Sequence, residues 1–126
     1  MSKQIITSAN APAPIGPYSQ AVKYGDMLFV SGQIALNPTD GTLVNADIVA
    51  ETTQVMKNLE AILAEAGFTF ENVLKSSIFV KDLNNFGIIN ETYGKYFTQN
   101  PPARETVEVS RLPKDVNVEI SVIAAK

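Results

Sequence analysis

The 126-residue sequence contains no histidine and no cysteine. Without these residue types the chain cannot supply a thiolate nucleophile, a Ser-His-Asp triad or an ordinary zinc site. It also has no D-x-D-x-D-G pattern for a hard cation, and neither a P-loop nor a G-x-G-x-x-G motif for a nucleotide phosphate. Any chemistry must therefore use carboxylates, tyrosines, amides, hydroxyls and the two arginines, Arg104 and Arg111.

Other absences concern location and partners. No apolar run approaches the roughly 20 residues that a membrane span needs, so no membrane partner is expected. The N-terminal stretch MSKQIITSANAP has no apolar signal-peptide core, and a chain without cysteine is most simply cytoplasmic. The net charge of −3 argues against a broad surface for binding nucleic acid. Since the chain has no linker or repeat, we expect one domain over residues 1–126.

Hydrophobic patterning predicts two helices among six strands. Apolar residues recur every three or four positions over 47–66, with Asn45 or Asp47 as the cap and Gly67 at the end. A second stripe of Phe86, Ile89, Tyr93 and Phe97 predicts a helix over 83–97. Strands are predicted in KQIIT, on both sides of the turn Tyr24-Gly25-Asp26, in VLKSSIFV, in ETVEVS and in VNVEISVIA.

The resulting order, β-β-β-α-β-α-β-β, indicates an α+β fold with a mixed sheet. Each helix has one apolar stripe, so both helices are expected to cover the same face of the sheet. In the last strand the other face carries Asn117, Glu119, Ser121 and Ile123. Such a mixed face suits either solvent or the inside of an oligomer, and the pattern leaves both open.

Arg104 and Glu119 are the two candidate charged groups of a site. Arg104 follows two prolines at a strand entrance, where it is either a surface residue or a rigid fork for a carboxylate. Glu119 lies between Val118 and Ile120 in the last strand. It is either a solvated strand residue or a partly buried carboxylate with a raised pKa that can accept a proton.

Four further residues have both a structural and a functional reading. Tyr18, in the stretch IGPYSQA, can pack a loop or present a hydroxyl to a ligand. Ser31 and Gly32, in FVSGQ, mark either a bulge or a close approach of the backbone to a ligand. Asn90 on the second helix is the weakest of the candidates.

Taken together, GPYSQA, FVSGQIALNP, SSIFVKD and PPAR…VEVSRLPKDVNVEI resemble the RidA/YjgF family from about Ile15 to Ala124. The C-terminal signature is the most specific part: an arginine after Pro and Ala, a strand, a turn and then Val118-Glu119-Ile120. The resemblance implies a chorismate-mutase-like fold, assembled as a homotrimer with sheets inward and sites at the subunit interfaces.

The activity that the resemblance implies is hydrolysis of 2-imino acids, such as 2-iminobutanoate and 2-iminopropanoate, to 2-keto acids and ammonia. Carried over by position, Arg104 binds the substrate carboxylate and Glu119 orients the attacking water. Tyr18, Ser31, Gly32 and Asn90 would line the pocket, and Thr106 would lie beside Arg104 and contact the substrate. The reaction needs no cofactor and no metal, because a protonated imine is already electrophilic.

One residue departs from the family's pattern. The position after the signature arginine is usually small, and here it is Glu105, whose carboxylate would compete for the guanidinium. Strand alternation predicts that Glu105 points away from Arg104. Two other functions stay open: a trimeric sensor of 2-keto acids or binder of a partner protein, and RNA cleavage or translation inhibition, which the acidic pI near 4.9 disfavours.

Overall fold

The structure, a computed structural model, describes residues 2–126. Its elements occur in the predicted order β-β-β-α-β-α-β-β. Their bounds are β1 Gln4–Ile6, β2 Ala21–Tyr24, β3 Met27–Gln33, α1 Ile48–Glu65, β4 Val73–Val80, α2 Phe86–Gly94, β5 Ala103–Glu108 and β6 Val118–Ala125. Single 3₁₀ turns occur at Phe70–Asn72, Leu83–Asn85 and Pro113–Asp115.

The strands form one mixed sheet in the order β1-β2-β3-β6-β4-β5. All neighbouring strands are antiparallel except β4 and β5, which are parallel and joined through α2. A parallel pair requires a crossover of this kind, because its strands start at the same edge of the sheet. The last strand, β6, therefore lies in the middle of the sheet, and β5 lies at one edge.

Helix α1 matches its predicted range to within one residue at each end. The Asp47 Oδ1 atom accepts a hydrogen bond of 2.7 Å from Ala50 N, which satisfies one of the free donors of the first turn. Beyond the helix, Gly67 adopts a φ of 82°, in the left-handed region that glycine reaches at least cost. In the apolar stripe of α1, Val55, Leu59 and Ile62 are completely buried.

Helix α2 is shorter than the predicted 83–97. Residues Leu83–Asn85 form a separate 3₁₀ turn, and after Gly94 the bond from Phe97 N to Gly94 O (3.2 Å) closes an i→i+3 turn. Phe97 therefore leaves the helix, but its ring still packs against Tyr93, with 4.7 Å between ring centroids. The predicted stripe was right for Ile89, Tyr93 and Phe97, which share the core, and it was wrong about the length of the helix.

Both helices cover one face of the sheet and share a single buried core with it, as expected. The opposite face, here called the open face, is covered by neither α1 nor α2. It exposes Phe29 and Val107, which are 46% and 41% accessible, next to polar residues such as Ser121. Within residues 2–126, no helix combines the length and the apolar character that a bilayer crossing requires.

Candidate functional site

Glu119 lies in the centre of the sheet and points to the open face. It is paired with Phe79 of β4, and its strand neighbours Val118 and Ile120 are fully buried on the helix side. The Glu119 side chain is half-buried, and burial raises its pKa above the ordinary value for a glutamate. A carboxylate of this kind is a better proton acceptor than a fully solvated one.

Gly32 provides the space that the Glu119 side chain occupies. The pairing of β3 with β6 is irregular between Val30 and Gln33, so Gly32 lies at the bulge that one of its two readings predicts. The close approach of its backbone to a ligand stays a prediction. A Cβ atom at Gly32 would lie 2.9 Å from Glu119 Oε2 and 3.0 Å from its Cδ. No other residue type fits there without displacing the carboxylate.

The loop that carries Tyr18 is fastened to β3 close to this point. The Ser31 hydroxyl donates to Ser19 O at 2.6 Å, and Ser31 N donates to Gln20 O at 2.9 Å. The buried Gln20 amide in turn donates to Pro12 O at 2.9 Å. These bonds hold the loop over the open face and leave Tyr18 half-exposed at its edge.

Together these residues form a cleft of about 350 Å³, here called the glutamate cleft. Four of the predicted site residues line it, namely Tyr18, Ser31, Gly32 and Glu119. Its remaining walls are mainly apolar and include Ile15, Ile34, Leu36 and Pro113. A cleft with apolar walls and one carboxylate suits a small organic ligand.

Arg104 lies elsewhere, on β5 beside helix α2. Its Nη1 atom donates to Asn90 Oδ1 at 2.7 Å, and its Cζ atom lies 5.3 Å from the Phe86 ring centroid and 5.4 Å from that of Tyr93. Tyr93 is itself anchored, because its hydroxyl donates to the buried Ser76 Oγ at 2.9 Å. Two rings and an amide thus hold the guanidinium in one orientation.

Thr106 lies two residues further along β5, on the same face as Arg104. It is paired with the buried Ile78 of β4, and its Oγ1 atom is buried without a hydrogen-bond partner within residues 2–126. We call Asn90, Arg104 and Thr106 the arginine cluster.

The glutamate cleft and the arginine cluster lie on opposite faces of the sheet. Arg104 pairs with Ser76 of β4, and Ser76 pairs with Val122 of β6, so these three side chains lie on the same face of the sheet. Glu119 is three residues from Val122, and side chains alternate between faces along a strand. The side chains of Arg104 and Glu119 therefore point in opposite directions. Strand β4 also separates β5 from β6, which adds a lateral distance of roughly 10 Å. The predicted site residues thus form two separate groups in one chain.

Glu105 points away from Arg104, which confirms the expectation from strand alternation. Its carboxylate accepts a hydrogen bond from Ser77 and lies 3.2 Å from Lys75 Nζ, both on β4. The Ser77 hydrogen bond and the Lys75 ammonium lower the pKa of Glu105. This carboxylate therefore does not compete for the Arg104 guanidinium within the chain.

Both key charges lack an ionic partner. In the described part of the chain, ion pairs form only between Lys75 and Glu105 and between Lys81 and Asp115. The guanidinium of Arg104 has a neutral amide as its neighbour, and the Glu119 carboxylate lies in an apolar cleft. Each group is therefore available to a ligand or to another copy of the chain.

Sequence reasoning missed two sets of residues that support these groups. Phe86 and Tyr93 were assigned to the apolar stripe of α2, yet they also flank Arg104. Glu51 lies off the apolar stripe of α1, yet it is only 1% exposed and binds Asn117 near the start of β6. No local signal distinguishes a buried glutamate of this kind from a solvated one.

Comparison with known proteins shows that the chain matches one family model and has relatives that are about half identical to it in sequence. The family model described as Endoribonuclease L-PSP matches residues 8–126. A RutC family protein from Pyrococcus horikoshii is 51% identical to the chain, and the match covers 98% of each sequence.

Two solved structures from Escherichia coli are closely similar to the chain. The YjgF gene product is 46% identical with a TM-score of 0.93, and the match covers 98% of each chain. TdcF with bound serine is 40% identical with a TM-score of 0.94, again over 98% of each chain. Identity at this level over nearly the full length, with the same mixed sheet under two helices, shows that the chain has the chorismate-mutase-like fold and belongs to the RidA/YjgF family.

Proposed function

We propose that the protein hydrolyses small 2-imino acids, such as 2-iminobutanoate and 2-iminopropanoate, to 2-keto acids and ammonia. The observation that carries the proposal is the half-buried Glu119 carboxylate, which has a raised pKa and lies in an apolar cleft without a cationic partner in the described chain. Such a group can accept a proton from water near neutral pH, and imine hydrolysis needs little more than that.

Arg104 supplies the group that binds the substrate's carboxylate. With Phe86, Tyr93 and Asn90 holding it, the guanidinium presents its remaining N–H donors in a fixed plane, which matches the geometry of a carboxylate. The serine bound to TdcF is a small molecule with a carboxylate next to a nitrogen-bearing carbon, as a 2-imino acid is. This likeness supports a ligand of the same size and charge.

The reaction then follows from these two groups. Water attacks the iminium carbon while Glu119 takes one of its protons, which gives a tetrahedral carbinolamine. The nitrogen leaves as ammonia after it receives the proton from Glu119. The remaining hydroxyl then loses its proton to form the keto group, and the ammonia takes up that proton to become ammonium. The net change is iminium plus water to ketone plus ammonium, so neither an oxidant nor a cofactor takes part.

Because Arg104 and Glu119 point to opposite faces of one sheet, the proposal includes a homotrimer in which one chain's arginine cluster meets a neighbour's glutamate cleft. The open face supports this assembly, since exposed residues such as Phe29 and Val107 are suited to burial between subunits. The proposal also keeps the cytoplasmic location expected of a chain without cysteine.

The test is a coupled assay with threonine dehydratase and threonine, which generate 2-iminobutanoate in solution. We expect the protein to accelerate the release of 2-ketobutanoate and ammonia, and to do so after treatment with a chelator. A protein that binds 2-ketobutanoate without accelerating its formation would be the sensor, and the deaminase proposal would be wrong.

A further inference from the structure

Glu51 is a buried carboxylate that the proposed reaction does not use. It lies in the first turn of α1 and is 1% exposed. Its two oxygens bind one residue: Oε2 accepts from Asn117 N and Oε1 accepts from Asn117 Nδ2, each at 2.8 Å. Burying a carboxylate is strongly unfavourable unless strong hydrogen bonds compensate. The two donors and the positive end of the α1 dipole provide that compensation.

Asn117 is immobilised from a second side as well. Its carbonyl oxygen accepts a bond of 3.0 Å from Lys81 N, just beyond the end of β4. The residue therefore links α1, the end of β4 and the start of β6. It precedes Glu119 by only two residues, at the point where the central strand enters the sheet.

The turn at Pro113–Asp115 lies just before Asn117. In this turn Lys114 and Asp115 both have a φ of 55°, a left-handed conformation that is unfavourable for a residue with a side chain. An ion pair of 3.0 Å between Lys81 and Asp115 holds one side of the turn. Pro113, at the start of the turn, lines the glutamate cleft together with Glu119.

We propose that Glu51 is a positioning residue: through Asn117 it holds both Glu119 and the Pro113 wall in the geometry that water attack requires. The inference rests on the proposed function. It gives a reason for a carboxylate where an apolar side chain would fill the core at lower cost, because an apolar side chain cannot bind two donors of one residue.

The experiment compares Glu51→Ala with Glu51→Gln in the deaminase assay. Glutamine keeps an oxygen for Asn117 N, and its amide donates to Asn117 Oδ1 once that side-chain amide rotates by half a turn. Alanine leaves both donors unpaired. We expect Glu51→Ala to lower kcat by about tenfold to a hundredfold, as misplacement of a catalytic group by about 1 Å does. Binding of 2-ketobutanoate should stay within about threefold of wild type, and Glu51→Gln should restore most of kcat.

Val55→Ala is the matched control, because Val55 is fully buried one turn further along α1 and has no link to Asn117. If Val55→Ala lowers both thermal stability and kcat as much as Glu51→Ala does, Glu51 is merely structural and the inference is wrong. The inference is equally wrong if Glu51→Ala keeps its kcat.

A second readout does not depend on activity. Titration of the Glu119 carboxyl by ¹³C NMR should show a raised pKa in the wild type and in Glu51→Gln, and a pKa nearer the ordinary value in Glu51→Ala. An unchanged Glu119 pKa in Glu51→Ala would contradict the positioning role. A wild-type protein without deaminase activity overturns the proposed function alone, and this titration still decides whether Glu51 places Glu119.

Discussion

The carboxylate of Glu119 lies directly against the backbone of Gly32, where a Cβ atom would come within 2.9 Å of Oε2. The Gly32 backbone does not adopt a left-handed φ, so only the missing space opposes a side chain there. What an added methyl group would displace is the end of a flexible side chain. Glycine at this position therefore serves the placement of a functional group more than the stability of the fold.

We expect Gly32→Ala to lower kcat at least about tenfold and to shift the melting temperature by only a few degrees. The methyl group pushes the carboxylate out of its position, and catalytic rates are sensitive to displacements of about 1 Å. The matched control is Gly94→Ala, where an added Cβ has no atom within 4 Å. An equally active Gly32→Ala protein would show that the Glu119 carboxylate need not lie where the structure has it.

Glu119→Gln should lower kcat by about 10² to 10⁴, because the amide keeps the size of the side chain and cannot accept a proton. The proposed reaction uses the carboxylate form of Glu119, so kcat should fall as the pH drops through its raised pKa. The acid limb of the pH profile should therefore lie above the ordinary glutamate value and should disappear in Glu119→Gln. Steady-state rates between pH 4 and 8 measure this.

The same shift predicts a gain in stability from Glu119→Gln. Burial raises the pKa of Glu119 in the folded state above its pKa in the unfolded state. The contribution of Glu119 to folding stability is therefore most favourable when its carboxyl is protonated. The contribution is fully present below the unfolded pKa and is lost as the pH rises through the folded pKa. The variant should thus melt above the wild type at pH 7 and together with it near pH 3. A variant that is less stable at neutral pH would contradict the direction of the shift.

Replacing Arg104 by lysine or by alanine should lower turnover by at least about thirtyfold. The loss of a sheltered charge-assisted pair costs roughly 2–5 kcal/mol, and each ~1.4 kcal/mol is tenfold. Lysine keeps the charge but not the planar donors that Phe86, Tyr93 and Asn90 hold in place, so it should rescue little. The control is Arg111→Ala, the only other arginine of the chain. If Arg104→Ala deaminates normally, or if Arg111→Ala is the inactive variant instead, Arg104 is not the residue that binds the substrate carboxylate.

Glu105→Ala should leave kcat and KM within about twofold of wild type, since side chains without a role in a site usually change little on removal. The Glu105 carboxylate is bound to Ser77 and Lys75, on the face opposite to Arg104. A clearly tighter binding of 2-ketobutanoate by Glu105→Ala would mean that this carboxylate does compete for the guanidinium.

The parts of the fold that could be predicted are those with a local period. The stretch VLKSSIFV coincides with β4, the turn at Tyr24–Asp26 joins β2 to β3, and α1 keeps its expected caps. Each of these features depends only on residues that are close together in the sequence, within a single turn or a single strand. The Arg104 and Glu105 side chains also followed simple strand alternation, which depends only on their being neighbours in β5.

What could not be predicted depends on partners that are distant in the chain. Glu51 and Asn117 are 66 residues apart, and periodicity assigns a carboxylate off the apolar stripe to solvent. The separation of Arg104 from Glu119 follows from the strand order β6-β4-β5, which no local pattern contains. The family signature names both residues without saying that they lie on opposite faces.

That separation makes the central claim directly testable: a functional site combines Arg104 of one chain with Glu119 of its neighbour. Arg104→Ala and Glu119→Gln chains, carrying different tags, would be co-expressed, and the mixed assemblies purified. Light scattering should give three times the chain mass of 13.6 kDa. In a mixed trimer one of the three sites pairs a native arginine with a native glutamate from the next chain, so roughly a third of wild-type deaminase activity should return. Mixed assemblies no more active than either parent would contradict the account, because a site within one chain cannot be restored by mixing.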